Sequence, residues 1–375
     1  MARKPVTKVA KAAEKAARPH SAVSGPQFDR LMKPLKPSRS LGLAVSGGGD
    51  SVALMLLVSL WRDWLVSKGR PVPDVTVLTV DHGLRKEAAR EAQQVARWAK
   101  TLGLAHKTFK WKPGHLTSNV QQAARDARYG LLTDWAAQSD ADLVVAHHLD
   151  DQAETFLMRL QRGSGVDGLA AMAPTSMRAG VRVLRPLLDV PRDALRATLA
   201  AHEQAWIDDP SNEDERFLRV QVRKALPGLA DLGLSRERLV ETAAQMARAR
   251  AALEVACDQA ERVSVTWHDE GFARLLLPPF RALPDEIALR LLVRLLKGVT
   301  GSVYGPRLQA LEGLRDALCQ QTLGGGRTLA RTLGGAKWMA VDGSGEKPDE
   351  VLVMREVAAL SLEPLSLKAG ANALW

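Results

Sequence analysis

The sequence predicts an α/β protein: a doubly wound parallel sheet followed by a mostly helical region that ends in a β-hairpin. Two observations predict the first part. Between about Leu41 and Leu188, strand-like runs alternate with helix-length segments, the pattern of βα units. The strand runs are continuous aliphatic or β-branched stretches, as expected of strands covered on both faces. A third observation predicts the rest. An Ala/Arg-rich helix at about 236–264 leads into a helical segment (284–322), and 336–357 reads as two apolar runs around a polar turn.

The strand candidates are 41–45, 75–80, 105–111, 142–148 and 181–187, with helices at 51–67, 86–102, 119–138 and 151–162 between them. "DDPSNED" (208–214), then Pro210 and Pro227, mark a change of character. The expected organisation is a basic flexible tail (1–25), a catalytic sheet domain (26–228), and a helical region with a terminal hairpin (229–375). The apolar ending "GANALW" suggests that a final domain is truncated or lacking.

Composition narrows the class. With 46% hydrophobic and 25% charged residues, the chain reads as a globular protein with no run long enough for a bilayer. Two cysteines, Cys257 and Cys319, stand far apart, which excludes a disulfide framework and suggests a reducing, cytoplasmic setting. The net charge of +10 points to a polyanionic partner. Six of the cations (Arg3, Lys4, Lys8, Lys11, Lys15, Arg18) lie in residues 1–20 against one acid, Glu14, giving a solvated tail, a nucleic-acid arm or a targeting segment.

The stretch with most chemistry is "SGGGDS": Ser46, Gly47, Gly48, Gly49, Asp50 and Ser51. It falls between the first strand and the first helix, where glycine lets backbone N–H groups close on phosphate at a helix N-terminus. No G-K-[ST] follows, so this is not a Walker A loop. Asp50 would repel a triphosphate unless Mg²⁺ bridges them, so the loop implies metal-bound ATP with Asp50 as metal ligand.

S-G-G-x-D-S in this position resembles the PP-loop of the N-type ATP pyrophosphatases. That resemblance implies cleavage between the α and β phosphates, AMP transfer to a carbonyl-type oxygen, and release of pyrophosphate. Three more stretches narrow it: "VDHGLR" (80–85), "AHHLDDQAETFLMRLQRGSGVDGL" (146–169) and "DDPSNEDERFLRVQVR" (208–223). Together they resemble the tRNA(Ile)-lysidine synthetases over roughly residues 28–228. The implied reaction adenylates O2 of the wobble cytidine of a CAU-anticodon tRNA(Ile). The ε-amine of free L-lysine then attacks C2, lysidine forms, and AMP leaves. One departure stands out: Val220 takes the place of the asparagine that usually follows the arginine after "DPSN".

Read from the residues alone, Asp151 and Glu154 are three apart on one helix and share a face. They make either a cation site or an acidic first turn at a helix N-terminus. The resemblance implies that they hold the substrate lysine, with His148 beside them. His147 and His148 read equally as ligands or as strand-end packing. Asp81 and His82 are nucleoside-side candidates. Arg85, Arg128 and Arg162 are candidates for RNA or phosphate contacts. "GSGVDG" (163–168) follows a helix rather than a strand, so it is a helix-ending loop and not a dinucleotide fingerprint. The rival readings are another PP-loop tRNA-modifying enzyme, such as a thiolase, and a non-catalytic tRNA-binding protein. A thiolase would need cysteines that the sheet domain lacks.

Overall fold

The computed structural model describes residues 21–81, 83, 88–111, 120–208, 216–302, 305–320, 330–340 and 350–356, with backbone alone over 120–125. The chain divides into two compact units, Met1–Ala247 and Arg248–Trp375. The first holds a six-stranded sheet: β1 (Ser40–Ala44), β2 (Asp74–Asp81), β3 (Ala105–Lys110), β4 (Ala141–Val144), β5 (Thr175–Arg178) and β6 (Val181–Leu184). The spatial order is β3-β2-β1-β4-β6-β5. Every pairing is parallel except β5–β6, which forms an antiparallel hairpin at the edge.

The order fixes where a ligand goes. From β1 the chain winds outward through β2 and β3, then returns to place β4 on the other side of β1. Helices that follow β1 and β4 therefore leave on opposite sides, and a crevice opens beyond the carboxyl ends of these two strands. Both "SGGGDS" and "HHLDD" begin there.

Side-chain alternation along the strands builds a core on each face. Leu41 and Leu43 of β1, with Val75 and Val77 of β2, join the larger core. It includes α1 (Gly25–Met32), α2 (Gly49–Ser67) and α7 (Arg192–Ala201), the helix after Pro191. Leu78, Leu143, Val145 and Val183 face the other way, against Tyr129, Leu132 and Trp135 of α4 (Val120–Gln138). Helix α2 is apolar around nearly its whole circumference because α1 and α7 both pack on it. Gly42 marks a close approach: a Cβ there would lie 2.6 Å from the Trp135 ring and 2.8 Å from Leu78 Cδ1. The remaining helices of this unit are α3 (Ala88–Thr101), α5 (Leu149–Gln161), the short α6 (Val166–Leu169) and α8 (Leu218–Asp231).

Helix α9 (Arg236–Ser264) has the span read from the sequence. The second unit carries an antiparallel sheet of β7 (Val265–Trp267), β8 (Ala273–Leu276), β9 (Ala330–Leu333), β10 (Ala336–Ala340) and β11 (Glu350–Arg355), in the order β7-β8-β11-β10-β9. The terminal hairpin is β10–β11. It lies inside a sheet whose other three strands the sequence did not announce, since they are only three or four residues long. The helical 284–322 segment is two helices, α11 (Asp285–Thr300) and α12 (Leu308–Gln320). The break falls at Gly301, whose φ of 70° ends α11 in the left-handed region. Between α9 and α11 sits α10 (Leu277–Arg281). Trp338, Phe280 and Leu295 centre this core, and Arg294 bridges Glu254, Asp258 and Glu261 of α9.

Candidate active site

At the end of β1 the backbone turns sharply through the glycine loop. Gly47 has φ +96°, which a side chain would strain, and its carbonyl accepts the Ile207 N–H at 3.0 Å. Ser51 fixes the turn: its Oγ accepts the Ser46 N–H at 3.2 Å, and its hydroxyl donates to the Gly48 carbonyl at 2.8 Å. Gly48 is the N-cap of α2 and supplies no side-chain cap. The first N–H groups of the helix thus keep their capacity for an anion. The loop borders a cavity of about 680 Å³ whose walls include Ser46, Asp50, Thr79, Arg128, His147 and Ile207.

Asp50 opens the first turn of α2. Burial works against its ionisation, yet the hydrogen bond and charge of His148, with the charges of Arg192 and Arg196, outweigh burial and lower its pKa to about 2. Arg192 Nε lies 3.3 Å from Asp50 Oδ1, and His148 Nε2 lies 3.5 Å from Oδ2.

His148 is the N-cap of α5, just past the end of β4. Its backbone N–H donates to Asp151 Oδ2 at 3.1 Å. Three carboxylates surround the buried ring: Nε2 is 3.5 Å from both Asp50 and Asp151, and Nδ1 is 3.6 Å from Asp150. Burial alone would lower the imidazole pKa, but the carboxylates prevail and raise it. Asp50 of the loop and Asp151 of α5 thus meet at one ring nitrogen, Nε2, with Asp150 at the other.

Asp150 serves the scaffold. Its Oδ2 accepts the Arg192 N–H at 2.9 Å, capping α7 from a distant element, and its Oδ1 receives Arg236 Nη1 at 2.6 Å. Burial opposes its ionisation, but these partners and His148 lower its pKa. Glu154 is fully buried, with Arg223 Nε 2.7 Å from Oε1 and Arg219 Nε 2.9 Å from Oε2. Burial raises the Glu154 pKa despite both guanidiniums, and the same pairing raises that of Arg223. Arg219 and Arg223 are one turn apart on α8, with Val220 buried between them. The unusual valine is thus a packing residue.

The structure brings Asp50, His148 and Asp151 together. Glu154 faces Arg219 and Arg223 rather than the cavity, and it is Arg223 that reaches the cavity wall. Asp81 ends β2 and accepts the Gly83 N–H at 2.9 Å, closing a turn outside the cavity wall. Arg128 lines the cavity beside Tyr129, 5.6 Å from its ring centroid. Arg162 is exposed at the end of α5, away from the cavity wall. His82, Arg85, 209–215, the basic residues 1–20 and "GGGR" (324–327) lie outside the described residues. Arg192, Arg196, Arg236 and Ile207 join the site without belonging to any of the sequence motifs. The one local signal for the first two was an i, i+4 arginine pair directly after Pro191.

A glycine loop without lysine, ending in an ionised aspartate at the switch point of a parallel sheet, defines a PP-loop type of nucleotide site. Residues 21–229 match the PP-loop domain family. In fold, the chain resembles a U34-tRNA thiolase of Methanococcus maripaludis, with TM-score 0.50, 17% identity, and coverage of 59% of this chain and 76% of that one. In sequence it is 50% identical over 295 residues to a tRNA(Ile)-lysidine synthase of Ruegeria pomeroyi, covering 77% of this chain and 68% of that one. It is 46% identical over 304 residues to the Rhodopseudomonas palustris synthase (80% and 86%), and 43% over 313 residues to that of Bradyrhizobium diazoefficiens (82% and 85%). The chain belongs to the tRNA(Ile)-lysidine synthase family of PP-loop proteins.

Proposed function

We propose that the protein is an ATP-dependent cytoplasmic ligase that converts the wobble cytidine of CAU-anticodon tRNA(Ile) to lysidine. The observation that carries this reading is the junction at His148, whose Nε2 lies 3.5 Å from both the loop carboxylate Asp50 and Asp151. A nucleotide site and a candidate amine site thus meet at the sheet's switch point.

On this reading the loop N–H groups and the α2 N-terminus hold the ATP phosphates. Asp50, ionised and at the cavity wall, fits an Mg²⁺ ligand. Among the described residues no group of three or more His, Cys, Asp or Glu side chains is placed to hold a metal, so the ion would share its coordination with phosphate oxygens. When bound, Mg²⁺ supplies charge neutralisation as pyrophosphate departs. Cytidine O2 attacks the α-phosphorus, and the bond to the β-phosphate breaks with its electron pair on pyrophosphate. Asp151 receives the lysine ammonium beside His148. Glu154 acts from beneath, through Arg219 and Arg223.

A thiolase reading finds less support. The fold likeness at 17% identity extends to the scaffold, and both cysteines, Cys257 and Cys319, fall in the second unit. The test is mass analysis of tRNA(Ile) after incubation with ATP, Mg²⁺ and L-lysine. One nucleoside should gain the mass of lysine less one water, with AMP and pyrophosphate formed in equal amounts. ATP consumption without that mass gain would contradict the reading.

A further inference from the structure

We infer that Arg192 and Arg196 of α7 form a clamp for the leaving pyrophosphate, an inference that rests on the ATP-cleaving reading above. Spacing puts them on one face. Four residues apart, both guanidiniums line the cavity, while Leu195, Thr198 and Leu199 turn the opposite face into the core. Arg196 is seated on the loop itself: a Cβ on Gly49 would fall 2.7 Å from its Nη1 and 2.8 Å from its Cζ. Glycine at position 49 thus admits a guanidinium as well as a phosphate.

Arg196 is held there from behind. Its Cζ lies 4.5 Å from the Trp206 ring centroid, and Nη2 lies 4.0 Å from Asp208 Oδ1. Arg192 Nε touches Asp50 Oδ1 at 3.3 Å, and its backbone is fixed by Asp150.

Electrostatics says what these cations await. Arg192 begins α7 and Arg196 lies over the beginning of α2, both positive ends of helices where a cation is disfavoured. Asp50 offsets part of that charge. Were Asp50 to hold a metal ion, the two guanidiniums and the α2 N-terminus would face whatever occupies the cavity. A polyphosphate matches them, since guanidinium N–H groups pair with phosphate oxygens in forked hydrogen bonds. Negative charge accumulates on pyrophosphate as the α–β bond breaks, so the clamp strengthens as the reaction proceeds.

Calorimetric titration separates the two ends of the nucleotide, with magnesium pyrophosphate and AMP as probes. Arg196→Gln and Arg192→Gln should each weaken pyrophosphate binding about tenfold or more, the loss expected for hydrogen bonds to a charged group. AMP affinity should stay within about twofold. Arg196→Lys, which keeps the charge but loses the fork, should recover part of the pyrophosphate affinity and reads the clamp if a glutamine variant folds poorly. Unchanged pyrophosphate affinity in the variants, or parallel losses for both probes, would overturn the clamp while leaving the nucleotide site standing. Wild-type protein that bound neither probe would overturn the clamp together with the reading beneath it.

Discussion

Asp50, His148 and Asp151 are one electrostatic unit, so their substitutions should behave as a set. Asp50 carries a pKa lowered from 3.8 to about 2, so its charge contributes stability above pH 3.8 that is lost as pH falls toward 2. Asp50→Asn should stop AMP and pyrophosphate formation, and at neutral pH should cost about 1–2 kcal/mol after discounting for its partial exposure. Urea denaturation beside an AMP–pyrophosphate assay checks both. His148 has the opposite sign. Its raised pKa gives stability that is complete below 6.5 and fades as pH rises through the folded value. His148→Asn puts a neutral N-capping side chain in place of the titratable ring, so its cost in a melting series should be larger at pH 6 than at pH 9. An equal cost at both values would mean that the ring is neutral in the fold. Asp151→Asn should weaken lysine binding by about 1.5–3 kcal/mol and change ATP binding much less. Parallel losses would assign Asp151 to the nucleotide.

Elements were legible where the chain buries both faces of a strand or one stripe of a long helix. β1, β2, β4 and β6 read clearly because Leu43, Val77, Leu143 and Val183 stand in aliphatic and β-branched runs, whereas β3, at the sheet edge, is polar and mostly exposed. The strands that escaped, β5 in the first unit and β7, β8 and β9 in the second, have three or four residues, too few for alternation to separate them from loop. What the sequence could not show was close approach. Gly42 looks like any strand glycine until Trp135 is seen 2.6 Å from where its Cβ would be. Gly42→Ala should overpack the β1–α4 contact and cost about 1–3 kcal/mol in chemical denaturation. A neutral result would show that Trp135 can move away freely.

At the scale of the whole molecule, the loop was readable because its working atoms are contiguous backbone. The arginines were not, because α7 and α8 bring them from separate stretches by packing alone. Asp150, Glu154, Arg192, Arg219, Arg223 and Arg236 form pairs 42 to 86 residues apart in sequence. The basic tail raises a different question. Val23 N–H donates to Thr198 Oγ1 at 2.8 Å and Ser24 caps α1, so the chain is engaged from there onward. Deletion of residues 1–20 removes six cations and leaves those contacts in place. If half or more of those charges meet phosphate, the slope of log affinity for tRNA against log salt should flatten by about 2–4. Discrimination between CAU-anticodon isoleucine and methionine tRNAs should persist, since phosphate contacts carry no sequence information. An unchanged slope would make the tail a bystander.

In the proposed reaction ATP activates cytidine O2, and AMP leaves with that oxygen when the lysine amine attacks C2. Oxygen-18 placed at O2 of the wobble cytidine tests it most directly. With L-lysine and ATP, the label should appear in AMP, mole for mole with lysidine formed, and be absent from pyrophosphate. Labelled oxygen retained in the modified RNA, with unlabelled AMP, would contradict the account.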